Sequence, residues 1–120
     1  MPTNHTGVAV VDDDPAVLDS LKFILELAGF LVRVYASAEA FLEDRGANPS
    51  CLILDHHLPR MTGLDLVERL RREDNAVPLL LITGSSSPAL LARASALGVE
   101  KVLEKPPGVE DLMNFVSAYS

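Results

Sequence analysis

Five short apolar runs recur along this chain, each separated from the next by a segment of helical period. The runs are VAVV (8–11), LVRVY (31–35), CLIL (51–54), LLLI (79–82) and KVLE (101–104). The first, third and fourth are continuously apolar, as a strand covered on both faces requires. The second and fifth alternate with polar residues, which suits the two edges of a sheet. Helix-length connections between successive strands impose parallel pairing with right-handed crossovers. The element order is therefore βαβαβαβαβα. The expected fold class is α/β, a five-stranded parallel sheet, doubly wound, with helices on both faces.

The intervening segments carry helix signals. Val17, Leu21, Ile24, Leu25 and Ala28 fall on one helix face, and Gly29 supplies a left-handed stop. Asp14-Pro15 reads as an N-cap followed by proline at the first helical position. Ser37 caps a second helix opening at Ala38, and Thr62 caps a third that buries Leu66, Val67 and Leu70. A fourth runs from about residue 87 to 97 and ends at Gly98, and Val109, Leu112, Met113 and Val116 mark a fifth.

With 120 residues and no internal repeat, residues 1–120 are expected to form one domain, with residues 1–6 as a loose N-terminal arm. A chain of this size buries about two-thirds of its surface and needs no disulfide or structural metal to fold. No apolar run approaches the ~18 residues of a membrane span, and the start carries no basic or apolar signal region. A single cysteine cannot form an internal disulfide, so a reducing cytoplasm is expected. The single cysteine, Cys51, opens an apolar run and reads as a small core residue. A net charge of −7 argues against direct nucleic-acid binding by this domain and suits a metal cation. Arg69, Arg71 and Arg72 read as a solvated helix face.

In doubly wound sheets ligands bind beyond the carboxyl ends of the strands. Here the first strand ends in Asp12-Asp13-Asp14, the third in Asp55, the fourth in Thr83, and the fifth leads into Lys105-Pro106. If the first and third strands are neighbours, carboxylates from both converge. Like charges at ~4 Å repel by about 1 kcal/mol even in water. Such a cluster calls for a cation, and oxygen-only ligands favour Mg²⁺. Asp14 is better explained as a helix cap. Taken alone, Thr83 could equally be an ordinary strand-ending threonine.

The stretches "VVDDDPAVLDSL", "LILDHHLPRMTGLDLVERL", "PLLLITG" and "VLEKP" resemble the receiver domains of bacterial two-component response regulators, and "YASAEAFL" resembles their FixJ-like branch. The resemblance runs from Gly7 to the last helix. It implies a flavodoxin-like sandwich with strand order 2-1-3-4-5. It further implies that Asp55 accepts a phosphoryl group from a sensor histidine kinase. Asp12, Asp13, Asp55 and the backbone carbonyl of His57 would then hold Mg²⁺, with Lys105 and Thr83 contacting the phosphoryl oxygens. The Lys105–Pro106 peptide is expected to be cis. The expected output is a changed surface on the fourth helix, fifth strand and fifth helix. It would act through a DNA-binding domain outside this chain or through a stand-alone module, as a monomer or a phosphorylation-dependent dimer.

Several positions depart from the family pattern. Val102 stands where the family usually carries an aromatic residue that moves with the threonine, and Pro107 where an aromatic usually follows the lysine-proline pair. His56 and His57 follow Asp55 where other residue types are usual. His56 reads as a solvated loop residue. His57 either borders the phosphoryl site or is likewise solvated. Ser85 reads either as an influence on dephosphorylation or as part of a helix cap in the 85–88 stretch. Two rival functions remain open on the sequence. One is a degenerate receiver acting as a phosphate-independent interaction module. The other is an aspartyl-phosphate phosphatase of the haloacid dehalogenase type, which needs a second aspartate where this chain has His57. The domain is not expected to be an enzyme.

Overall fold

Each apolar run forms a strand in the computed structural model, which describes residues 7–44 and 48–119; the arm expected at residues 1–6 lies outside the described residues. The strands are β1 (Val8–Val11), β2 (Val32–Tyr35), β3 (Cys51–Asp55), β4 (Leu79–Thr83) and β5 (Lys101–Glu104). The helices are α1 (Pro15–Leu27), α2 (Ala38–Glu43), α3 (Gly63–Arg72), α4 (Pro88–Ala96) and α5 (Val109–Tyr119). All neighbouring strands pair in parallel, in the order β2-β1-β3-β4-β5. The chain moves outward from β1 to β2, then returns across β1 to β3. The order therefore reverses at the β1/β3 junction, and a crevice opens beyond the carboxyl ends of those two strands.

The period-2 alternation of side chains divides the core between the two faces of the sheet. Val8, Val10, Ile53, Leu80 and Ile82 pack against Leu18, Leu21 and Leu25 of α1 and Leu112, Phe115 and Val116 of α5. Ala9, Val11, Leu52, Leu54, Leu79 and Leu81 pack against α2, α3 and α4 through residues such as Phe41, Leu66, Val67 and Ala94. Cys51 belongs to the first of these layers and is fully buried. Burial pushes its thiol up to about 12, which keeps it protonated and unreactive at neutral pH.

The caps form as the sequence predicts. Asp14 accepts from the Ala16 amide, Ser37 from that of Ala40, and Thr62 and Asp65 form a reciprocal capping box. Gly29 and Gly98 end α1 and α4 with φ of 99° and 76°.

Three expectations need correction. The buried stripe of α1 is Leu18, Leu21 and Leu25, whereas Ala28 is the exposed C-cap, because the chain turns away at Gly29. Val109, at the first position of α5, is also exposed. Arg71 is not on a solvated face. Its guanidinium donates to the carbonyls of Leu97 at 2.8 Å, Asn75 at 2.9 Å, Val77 at 3.1 Å and Gly98 at 3.3 Å. It thus fastens the end of α3 to the end of α4. Arg69 and Arg72 do sit on the exposed face, paired with Glu73 and Glu68 one turn away.

Past the end of α3, Asp74 adopts a φ of 61°, in the left-handed region where a Cβ is strained. Asp74→Gly is expected to stabilise the protein by about 0.5 kcal/mol, the relief being partly offset by the greater freedom of glycine in the unfolded chain. The denaturation midpoint in urea measures this, and a lower midpoint would contradict it.

Candidate functional site

The register of β1 on β3 pairs Val11 with Leu54, so the residues that follow, Asp12 and Asp55, emerge side by side at the sheet's carboxyl edge. Both are almost fully buried, whereas Asp13 is exposed at the mouth. Carboxylate oxygens of Asp12, Asp13 and Asp55 all lie within 4.8 Å of one another. Lys105 follows β5, and its amide donates to the Thr83 carbonyl at 2.9 Å, prolonging the β4–β5 ladder. From there its Nζ reaches Asp55 Oδ1 at 3.0 Å. The Lys105–Pro106 peptide is cis, as the resemblance implies.

These groups line a crevice of about 530 Å³ that continues between α1 and α5 past Val17, Pro107 and Val109. Its polar end holds Asp12, Asp13, Asp14 and Asp55 against the single ammonium of Lys105. Asp12 responds first to its burial and then to the neighbouring charges. Burial raises its carboxyl above the ordinary carboxylate range, and Asp55 and Asp13 push the same way, opposed by the Asp14 amide and by Lys105. The donor set is entirely oxygen, its atoms lie within 4.8 Å of one another, and its negative charge exceeds what Lys105 neutralises. Those are the properties that suit a hard divalent cation.

Two contacts fall on the same oxygen of Asp55. Lys105 Nζ and the His57 amide, at 3.1 Å, both donate to Oδ1. The loop beyond β3 is held close by α3. A Cβ on Gly63 would lie 2.7 Å from the Asp55 carbonyl oxygen and 2.8 Å from His56 Cα, so only glycine fits there. The Gly63 amide donates to the His56 carbonyl at 3.0 Å.

His56 is not a solvated loop residue. It is half-buried, and its Nδ1 accepts from the Leu64 amide at 3.3 Å. Burial lowers its pKa, helped by His57 and Arg93, so the ring is a neutral acceptor for the start of α3. No sequence signal marks this role, because the partner is a backbone amide. His57 lines the crevice and is at the same time exposed to solvent. Its Nε2 lies 2.8 Å from Thr83 Oγ1. Thr83 is fully buried, and its hydroxyl also meets the carbonyl and amide of Ser85, each at 3.2 Å. Within the 85–88 stretch the helix cap is Ser87, which accepts from the Leu90 amide, while Ser86 is bonded through its amide and hydroxyl to Glu104. Val102 is half-buried against the core beneath α4.

The structure brings Asp12, Asp13, Asp55 and Lys105 together, and Thr83 is linked to Asp55 through His57, whose amide bonds Asp55 and whose ring bonds the hydroxyl. A buried carboxylate stands beside a lysine and two further carboxylates. That arrangement suits a nucleophile that must receive a group carrying several negative oxygens.

A family model described as the response regulator receiver domain matches residues 8–117. The chain is 37% identical over 105 residues to the transcriptional regulatory protein FixJ of Bradyrhizobium diazoefficiens, covering 87% of this chain and 51% of that protein. It is 34% identical over 117 residues to the response regulator protein TmoT of Ectopseudomonas mendocina, covering 97% of this chain and 53% of that protein. The chain therefore spans about half the length of these curated relatives. A CheY-like receiver domain from Methanospirillum hungatei superposes with a TM-score of 0.86 at 28% identity, covering 92% of this chain and 90% of that one.

Proposed function

This chain belongs to the response regulator receiver family, and on that premise we propose that Asp55 accepts a phosphoryl group from a sensor histidine kinase. The observation that carries the proposal is the setting of Asp55. It is buried yet faces the crevice, with one oxygen held by Lys105 and by the His57 amide. The other oxygen forms a bond to phosphorus while the bond from phosphorus to the kinase imidazole nitrogen breaks, the electron pair remaining on that nitrogen. Lys105 shifts from the carboxylate towards a phosphoryl oxygen as charge moves outward. Thr83 donates its hydroxyl to another.

Asp12, Asp13 and Asp55, with the His57 backbone carbonyl, would hold Mg²⁺. When bound, the ion supplies positive charge to the phosphoryl oxygens. Residues 1–120 are read as one receiver module that does not itself contact nucleic acid. Because relatives twice its length are named transcriptional regulators, the whole protein is proposed to act through a DNA-binding output domain. Among the described residues no helix is long and apolar enough to cross a membrane.

Incubation with a small phosphodonor, with and without Mg²⁺, tests the reading. A stable Mg²⁺-dependent adduct on Asp55 supports a receiver, continuous turnover supports a phosphatase, and no reaction supports a phosphate-independent module.

The switch itself should differ from the family's usual one. Val102 is β-branched with a restricted χ1 and has no ring to move into space vacated by Thr83. Activation is therefore expected to move residues 83–87 and α4 while Val102 keeps its rotamer. A pair of structures, with and without a phosphoryl mimic on Asp55, checks this. A rotamer change at Val102 with a stationary loop would refute it.

A further inference from the structure

The geometry points to the His57 imidazole as a latch that holds the Thr83 hydroxyl in its resting position. Histidine at this place is one of the chain's departures from the family pattern, and its ring makes the shortest of the three contacts to Thr83 Oγ1, at 2.8 Å.

A hydroxyl has one proton to give and two lone pairs to receive. The Ser85 amide can only donate, and it uses one lone pair at 3.2 Å. The single proton goes to the Ser85 carbonyl at 3.2 Å or to His57 Nε2 at 2.8 Å, according to which ring nitrogen of His57 carries its own proton. In either tautomer the ring bonds the hydroxyl, as acceptor or as donor, and the proton of a fully buried group is engaged. Thr83 cannot donate to a phosphoryl oxygen without withdrawing that proton, and the rotation that does so breaks the contact with His57.

The ring is itself braced. It lies over Gly84, where a Cβ would stand 3.9 Å from Nε2. It also packs edge-on against His56, with centroids 5.3 Å apart, and the Leu64 amide fixes the His56 ring in turn. The His57 amide meanwhile bonds Asp55 Oδ1 at 3.1 Å. One residue therefore touches the nucleophile through its backbone and the switching hydroxyl through its ring. His57 acts as a positioning residue. Its effect on switching, unlike the latch itself, rests on the receiver reading above.

The test compares the native chain with His57→Ala and His57→Gln, the glutamine amide supplying a donor or an acceptor near the place of Nε2. Without a phosphodonor, amide hydrogen exchange across residues 83–87 should be about fivefold faster in His57→Ala, the ordinary net weight of one hydrogen bond. His57→Gln should restore the native rate. Beryllofluoride with Mg²⁺, a phosphoryl mimic, should bind His57→Ala about fivefold more tightly than the native chain, because the competing bond is gone. Unchanged exchange in His57→Ala overturns the latch, as does faster exchange that glutamine does not restore. Faster exchange with unaltered beryllofluoride affinity overturns its role in switching. If exchange changes as expected but no variant binds the mimic, the latch stands and the receiver reading fails.

Discussion

Asp55→Asn is expected to take up no phosphoryl group from a small phosphodonor in the presence of Mg²⁺. The loss should exceed about 100-fold, because an amide oxygen is a poor nucleophile and no base nearby can remedy that. The fold should survive the change. Asparagine keeps the size of the side chain and still offers an oxygen to Lys105 and to the His57 amide, the two groups that contact Oδ1. The substitution also removes one of three mutually repelling carboxylates. Intact-mass measurement reads the adduct, and a thermal melt confirms the fold. Uptake at the native level would move the nucleophile to Asp12 or Asp13 and overturn the assignment of Asp55.

Asp13→Ala should weaken Mg²⁺ binding by about 100-fold or more, the loss expected when a directly coordinating carboxylate is removed from a hard-cation site. The same change should stabilise the metal-free protein by about 1 kcal/mol, since charges less than 5 Å apart no longer repel. The two effects have opposite signs, which separates a ligand from a residue that merely supports the fold. Calorimetric titration with Mg²⁺ gives the first and urea denaturation without metal the second. Unaltered Mg²⁺ affinity would remove Asp13 from the site.

The sheet was legible in the sequence because its three central strands are covered on both faces and so read as unbroken apolar runs. β3 and β4 nevertheless extend one residue beyond those runs, to Asp55 and Thr83, where backbone pairing with Ile82 and Glu104 continues under polar side chains. The site was legible for a related reason. In this topology the strand ends line one edge, so Asp12, Asp55 and Lys105 are brought together by the sheet itself, with Thr83 on the neighbouring strand end. What stayed hidden depends on contacts between side chains and groups elsewhere along the chain. Arg71 reaches carbonyls 26 and 27 residues away, His56 accepts from the first turn of α3, and His57 spans β3 and β4 to Thr83. Periodicity reports which way a residue faces and carries no trace of such partners.

The grip of Arg71 on Leu97 and Gly98 also decides how α4 can move. The helix is anchored at its carboxyl end by two charge-assisted bonds, while its amino end follows the loop that Thr83 and Ser86 hold. In the last turn Arg93 adds exposed pairs with Asp65 and Glu68, which yield easily in water, while Leu90 and Ala94 pack against the core. A rod fixed at one end swings. Over nine residues, about 13 Å, a tilt of about 10° carries Ser87 roughly 2 Å and leaves the far end in place. If activation moves this helix as proposed above, a partner that reads it reads an angle, and gains most by gripping it near Ser87, where the lever's travel is greatest.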